Sequence, residues 1–187
     1  MTHAATAERF GLSPLIRFTL ISLYVALVLP LPLLAPEVLR VWMAGGLVLG
    51  LLLVLGLLSE QVETDAEGIR VGYPAWISWL FRRGWSLAWS DVRALVPVGT
   101  SQGGTVYYLK ATNLKHQLLP QRIDRFDRFL VLLKEHCGLN TAGIGRLTPP
   151  WTYQLLAALA ALMVVGELAG TVAVSRGWIN LPEGFPG

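Results

Sequence analysis

Apolar residues in this sequence fall into three long stretches, and the segment between the second and the third shows short alternating patterns instead. The stretches run from Phe18 to Pro36, from Val41 to Ser59 and from Trp151 to Ser175, over 19, 19 and 25 residues. The first two contain no charged residue, and the third contains only Glu167. A bilayer core needs about 20 apolar residues per helix. Each stretch therefore predicts a membrane-spanning helix, the first two forming a hairpin.

Glycines in the second and third stretches predict close helix packing. Two pairs are spaced four residues apart, Gly46 with Gly50 and Gly166 with Gly170. Small residues at this spacing let helix backbones approach each other in lipid. We favour packing within the three-helix bundle over dimerisation.

Glu167 is the only acid in the third stretch, and it needs a partner there. A charged side chain at the centre of a bilayer costs about 2.5–3.5 kcal/mol on insertion scales. We expect an intramembrane polar contact, either with Arg40 or with another protein. A proton or ion pathway would require more polar residues than these stretches supply.

Charge is concentrated between the second and third stretches, where 19 of the 27 charged residues lie. This distribution excludes a uniformly soluble globule, and it divides the chain into a tail and hairpin (1–59), a domain (60–148), a third helix (149–175) and a short tail on the opposite side (176–187). The N-terminus and the domain carry 13 Lys and Arg residues, against two on the other side. The positive-inside rule then places the domain in the cytoplasm or stroma.

The predicted domain is α+β. Alternating or β-branched segments predict strands at 62–65, 69–73, 85–89, 92–98, 105–111 and 116–119. Apolar residues at helical spacing then predict an amphipathic helix from Gln121 to Cys137. Short antiparallel strands closed by one helix are typical of a PH-like half-barrel capped by its C-terminal helix.

Short segments of the domain resemble the bacterial PH-like membrane domain, namely Gly68-Ile-Arg, Trp89-Ser-Asp-Val, Val106-Tyr-Tyr-Leu and Leu118-Leu-Pro. Three further segments resemble a group of small cyanobacterial membrane proteins with chloroplast relatives: Leu12 to Arg17, Gln102 to Tyr108 and Pro149 to Tyr153. The chain is more loosely similar to the photosystem I assembly factor family, which has a PH-like domain after a two-helix hairpin but no third span. These resemblances imply a role in the biogenesis of photosynthetic membrane complexes, at a plasma or thylakoid membrane.

No catalytic, metal or cofactor site is predicted. His136 adjoins Cys137, but neighbouring helical residues point about 100° apart and make a poor base–nucleophile pair. No His, Cys, Asp and Glu residues have the spacing of a zinc site. The net charge of +3 is too small and too dispersed for nucleic-acid binding.

Two segments are candidates for binding. The first, Tyr73 to Trp85, is rich in aromatic and basic residues, with Trp76, Trp79, Phe81, Arg82 and Arg83 as candidates for partner or lipid contact. Such residues suit the lipid interface and protein-binding hot spots, and the aromatic ones also suit the core of the sheet. The second is a basic face of the closing helix, formed by Lys115, Arg122, Arg125 and Arg128. This face suits an anionic headgroup or an acidic partner.

We therefore expect a non-catalytic membrane adaptor or assembly factor whose partners are membrane lipids and other integral membrane proteins of a larger complex. The alternative function is an envelope-homeostasis module that recognises anionic lipid headgroups.

Overall fold

The computed structural model describes residues 7–81, 84–101, 103–112 and 116–178. The described residues form two compact units. Unit 1 comprises residues 7–14 and 56–149, and unit 2 comprises residues 15–55 and 150–178. Three of the candidate binding residues, Arg82, Arg83 and Lys115, lie outside the described residues.

In chain order the elements are β1 (Glu8–Gly11), α1 (Pro14–Val28), α2 (Pro30–Leu34), α3 (Glu37–Leu57), β2 (Gln61–Thr64), β3 (Gly68–Gly72), β4 (Trp85–Ala88), β5 (Val92–Gly99), β6 (Thr105–Ala111), β7 (His116–Leu118), α4 (Phe126–Cys137) and α5 (Pro150–Ser175).

The described residues contain three helical segments that are long and apolar enough to cross a membrane, Pro14–Leu34, Glu37–Leu57 and Pro150–Ser175. This confirms the three predicted apolar helices. The first segment is divided into α1 and α2, because the ring of Pro30 removes a backbone donor from the helix. Ala35 is extended, as expected of a residue that precedes proline, and it ends α2.

Side-chain hydrogen bonds within unit 2 join α3 and α5 to α1. The Thr19 hydroxyl donates to the Tyr153 carbonyl over 3.2 Å, and the Tyr24 hydroxyl donates to the Leu47 carbonyl over 2.7 Å. Gly50 makes room for Tyr24, since a Cβ atom at Gly50 would collide with that hydroxyl. Most other side chains of α3 and α5 are exposed, so their apolar faces are available to lipid or to another protein.

Unit 1 contains two antiparallel sheets in its described part, one with the order β1-β2-β3-β4 and one with the order β5-β6-β7. The predicted strands β2 to β7 are confirmed to within one residue at each end. The prediction of an α+β chain with antiparallel strands is therefore correct.

Strand β1 lies in the segment that we predicted to be part of an N-terminal tail. It pairs with β2 from Glu8 opposite Thr64 to Gly11 opposite Gln61. Phe10 is fully buried and makes an edge contact with Phe129 of α4, the ring centroids lying 5.8 Å apart. The four residues of β1 contain a single large apolar side chain, so the sequence shows no strand periodicity here. In sequence, the helices α1, α2 and α3 therefore lie between β1 and β2, which pair with each other.

Helix α4 begins at Phe126, five residues later than predicted. The backbone before it pairs with the N-terminal segment instead: Asp124 N–H donates to the Gly11 carbonyl, and Ser13 N–H donates to the Arg122 carbonyl. Arg125 then has a left-handed conformation with φ 47°, which interrupts the helical path. The helix ends as predicted, with Gly138 in a left-handed cap.

The core of unit 1 lies between the sheets and α4. Its fully buried large side chains come from β1, β2, β3, β6, α4 and the segment after β7, and they are Phe10, Val62, Ile69, Leu109, Leu119, Phe126, Phe129 and Leu133.

Candidate functional site

The aromatic segment of unit 1 follows β3 and folds as a series of helical turns. Ile77 and Ser78 donate their N–H groups to the Pro74 carbonyl, and the Trp79 indole N–H donates to the Trp76 carbonyl over 2.9 Å. Ile77 is buried. The turn is therefore closed by its own hydrogen bonds, and its inner side chain is held in place.

Aromatic side chains of this segment point in two directions. Ile77 and Phe81 lie against Gly56 at the end of α3, where an added Cβ atom would be 2.7 Å from Ile77 Cγ1 and 2.9 Å from Phe81 Cε2. The Phe81 ring also lies 5.1 Å from the Tyr73 ring. In contrast, Trp76 is 54% exposed and Trp79 77% exposed. Packing in the sheet core thus does not explain these two tryptophans, whereas Trp85 does pack against the core.

The predicted basic face divides into separate parts. Arg128 forms an ion pair with Glu8, its Nη2 atom 2.8 Å from Glu8 Oε1, and this hydrogen bond lowers the pKa of the Glu8 carboxyl. Arg125 donates to the Arg9 carbonyl over 2.8 Å and lies 5.1 Å above the Phe10 ring. Both arginines therefore fasten β1 to α4, a role that we had not predicted for either.

Arg122 lies apart from Arg125 and Arg128 and lines a groove with Arg146. This groove has a volume of about 640 Å³ and is also lined by Thr100, Thr105, Tyr107 and Thr148. We call it the arginine groove. Arg146 was absent from the predicted site, because it is an isolated basic residue in a Gly-rich connection and no periodicity relates it to Arg122.

A second cavity, of about 740 Å³, lies between the edges of the two sheets and is lined by Glu60, Tyr73, Trp85, Tyr108 and His116 among others. Burial raises the pKa of the Glu60 carboxyl, and the charge of Arg122 partly offsets that rise. Burial also raises the pKa of the Tyr73 hydroxyl, as does the charge of Glu60.

The single thiol is packed at the end of α4. Cys137 Sγ lies 3.9 Å from the Trp89 carbonyl oxygen, and burial raises the pKa of the Cys137 thiol to about 11. The His136 ring stacks on the Trp89 ring with centroids 5.0 Å apart. Among the described residues, no group of three or more His, Cys, Asp and Glu side chains is arranged to hold a metal ion.

Some of the small and polar residues of unit 2 that we predicted to make contacts have no such contact among the described residues. Gly50 packs against Tyr24, but a Cβ atom at Gly46, Gly166 or Gly170 would have no described neighbour within 4 Å. No ion pair joins Glu167 to Arg40 in the described part of the chain. Packing of these three glycines within the helix bundle, and contact of Glu167 with another protein, remain predictions.

These features define an α+β protein whose described part has three helices long and apolar enough to cross a membrane. The chain is 42% identical over 166 residues to Uncharacterized protein slr0269 of Synechocystis sp. (strain ATCC 27184 / PCC 6803 / Kazusa), and the match covers 86% of this chain and 83% of that protein. The chain therefore belongs to the family of this cyanobacterial protein, and the predicted resemblance to cyanobacterial proteins is confirmed. No protein-family model matches the chain, and no solved structure matches it.

Proposed function

We propose that this chain is a non-catalytic integral membrane adaptor that presents a PH-like domain at the cytoplasmic or stromal face of a membrane and binds other integral membrane proteins there. The arrangement of unit 1 supports the PH-like assignment. A four-stranded and a three-stranded antiparallel sheet are followed in the chain by helix α4, which packs on their common core.

The connectivity of the chain supports the proposed topology. β1 and β2 are hydrogen-bonded neighbours, although the two apolar segments Pro14–Leu34 and Glu37–Leu57 separate them in sequence. Two membrane crossings return the chain to the side from which it started. Both ends of this hairpin then lie on the side that carries 13 of the 15 Lys and Arg residues, which is the cytoplasmic side by the positive-inside rule.

The observation that carries the adaptor proposal is the exposure of Trp76 and Trp79 on a turn that is already rigid. The turn is closed by its own hydrogen bonds and held by Ile77 and Phe81 against Gly56. Tryptophan is enriched among the residues that dominate protein binding, and a surface that is ordered before binding loses less entropy when it binds. We name Trp76, Trp79 and the exposed Leu80 the tryptophan surface.

Affinity purification of the tagged full-length chain from native membranes in a mild detergent tests this proposal. The double variant Trp76→Ala/Trp79→Ala should lose its partners by about tenfold or more, as expected for hot-spot residues. Val98→Ala/Val131→Ala is the control, because these two apolar side chains of β5 and α4 are also exposed on unit 1 and lie outside the tryptophan turn. Equal recovery of the same proteins with both variants would refute the adaptor proposal.

The kinship with a protein of Synechocystis makes a photosynthetic membrane the first setting in which to look for these partners. We include the biogenesis of photosynthetic complexes in the proposal on that basis. The chain differs from the photosystem I assembly factor family in having α5, so its partners need not be those of that family.

A second candidate function is recognition of anionic lipid headgroups by unit 1. The arginine groove favours it, because two guanidinium groups line one depression whose described lining contains no acidic residue.

A further inference from the structure

The arginine groove carries positive charge that its own walls do not balance. Neither Arg122 nor Arg146 forms an ion pair within the described residues, where the ion pairs are Arg9 with Glu63 and Arg128 with Glu8. Glu60 shares an adjoining cavity of about 240 Å³ with Arg122, but its carboxylate lies outside ion-pairing distance. Two positive charges that line one groove repel each other, and an anion bound between them offsets that repulsion.

The walls of the groove are fixed by the core. The buried Gln121 side chain donates to the Gly145 carbonyl over 2.9 Å and to the Thr105 carbonyl over 3.3 Å. It thereby fastens the connection after α4 to the start of β6. Ile144 of the same connection packs against the hydrophobic core. The backbone next to Arg146 is thus held by the hydrogen bond of Gln121, the residue before Arg122.

Residues with hydroxyl groups line the groove beside the two arginines, namely Thr105, Tyr107 and Thr148. Gly103 and Gly104 also line it, but their N–H groups donate to Thr100. Guanidinium groups bind phosphate oxygens through paired N–H donors, and hydroxyl groups can add further hydrogen bonds. The residue types of the groove therefore suit a tetrahedral oxyanion.

We infer that the arginine groove is a binding site for a phosphate group, held by Arg122 and Arg146. The group belongs either to a lipid headgroup or to a small soluble phosphate. The position of the groove in the chain favours a headgroup: the Arg122 carbonyl accepts the N–H of Ser13, one residue before α1, and Thr148 and Pro149 of the lining directly precede α5. The headgroup source rests on the proposed insertion of these helices in a membrane, whereas the phosphate site itself does not.

Thermal unfolding of the full-length chain tests the site and separates the two sources. One series uses nanodiscs of phosphatidylcholine with increasing phosphatidylglycerol. The other uses neutral detergent with inorganic phosphate, against chloride of equal ionic strength. We expect phosphatidylglycerol to raise the unfolding midpoint saturably. In the double variant Arg122→Gln/Arg146→Gln the apparent affinity should fall about tenfold or more, as expected for the loss of charge-assisted hydrogen bonds.

Arg70→Gln/Arg93→Gln is the matched control, since it removes the same charge from exposed positions of β3 and β5. It should retain the full response. Arg146→Gln alone provides a second variant that keeps the Arg122 side chain, and it should lose part of the response.

The possible results distinguish the existence of the phosphate site from the source of the phosphate. Saturation by inorganic phosphate with no further effect of phosphatidylglycerol would support the site and assign it to a soluble phosphate. An equal loss in the control and groove variants, or an equal response to chloride, would overturn the site. A chain that does not enter nanodiscs would refute membrane insertion alone, because the detergent series still tests the site. Neither series requires a protein partner, so a failed adaptor proposal leaves them unaffected.

Discussion

Arginines that are close in sequence serve different purposes in unit 1. Arg125 and Arg128 fasten β1 to α4 through the Arg9 carbonyl and the Glu8 carboxylate. Arg122 instead lines the arginine groove. The left-handed conformation of Arg125 explains the division, because it takes Arg122 off the helix on which we had placed all three.

Cys137 should react slowly with thiol reagents. Burial raises its pKa from 9.0 to about 11, so the thiolate fraction at neutral pH falls about 100-fold, a factor of ten per pKa unit. The alkylation rate with iodoacetamide should rise about tenfold per pH unit between pH 7 and pH 9.5. An exposed thiol, provided by Ala66→Cys in a Cys137→Ala background, should react about 100-fold faster at pH 7.5 under the same conditions. Similar rates for the two thiols would contradict the buried environment of Cys137.

At the scale of elements, β1 has a larger effect on the fold than its four residues suggest. It covers the outer edge of β2, and Phe10 fills space against Phe129. Arg9 also pairs with Glu63 directly across the two strands over 2.8 Å. A protein cut at Glu60 would leave β2 as an unpaired edge and would expose apolar surface of α4, which promotes aggregation.

Residues 60–148 alone should therefore aggregate, and residues 7–13 joined to 60–148 by a short Gly-Ser linker should fold. The linker is feasible because Gly11 lies opposite Gln61. Nuclear magnetic resonance spectra should be dispersed for the fusion only. Phe10→Ala should destabilise the fusion by about 3–5 kcal/mol in denaturant unfolding, the usual cost of removing a buried phenylalanine.

Glu67→Gln is the control for that measurement, since it changes an exposed residue of the β2–β3 turn; a change of less than about 0.5 kcal/mol is expected. A well-folded fragment 60–148 would show that β1 is dispensable.

Periodicity predicted the elements that have several apolar residues in phase. Alternating or β-branched segments predict strands β2 to β7, and Gly138 predicts the end of α4. Periodicity could not predict β1, because Phe10 is its single buried residue and no second apolar residue of the strand alternates with it. Periodicity also predicted the start of α4 five residues too early. The backbone of Arg122 and Asp124 forms hydrogen bonds with Ser13 and Gly11, which are more than 100 residues away.

At the scale of the whole molecule, the helical hairpin is an insertion between two paired strands. The connection between β1 and α1 is residues 12–13, and the connection between α3 and β2 is residues 58–60.

Cysteine labelling in sealed membrane vesicles whose cytoplasmic or stromal face is outward tests the proposed topology. In a Cys137→Ala background, Ala66→Cys, in the β2–β3 turn of unit 1, should react with a membrane-impermeant maleimide. Val38→Cys and Ser175→Cys should react only after detergent opens the vesicles, since both positions fall on the far side of the proposed membrane. Labelling of all three positions in sealed vesicles, or of Val38→Cys and Ser175→Cys alone, would refute the topology.

The sequence predicted which segments contain candidate binding residues, but it did not predict which of their side chains are buried and which are exposed. Composition drew attention to the segment that holds Trp76 and Trp79, but the burial of Ile77 and the exposure of both tryptophans depend on the contact with Gly56. Arg146 could not be found from sequence, because its relation to Arg122 arises only when Gln121 fastens the connection after α4 to β6.

The sequence alone predicts three apolar helices, six strands from alternating or β-branched segments, and a concentration of charge in one unit. These properties are local, since they depend on hydrophobicity over consecutive residues and on the periods of strand and helix. The three-dimensional fold was needed to show that β1 completes the first sheet, that Arg125 and Arg128 hold it, and that Arg122 and Arg146 line one groove. These relations join residues far apart in the chain, where pairing of backbone and charge in three dimensions leaves no periodic signal.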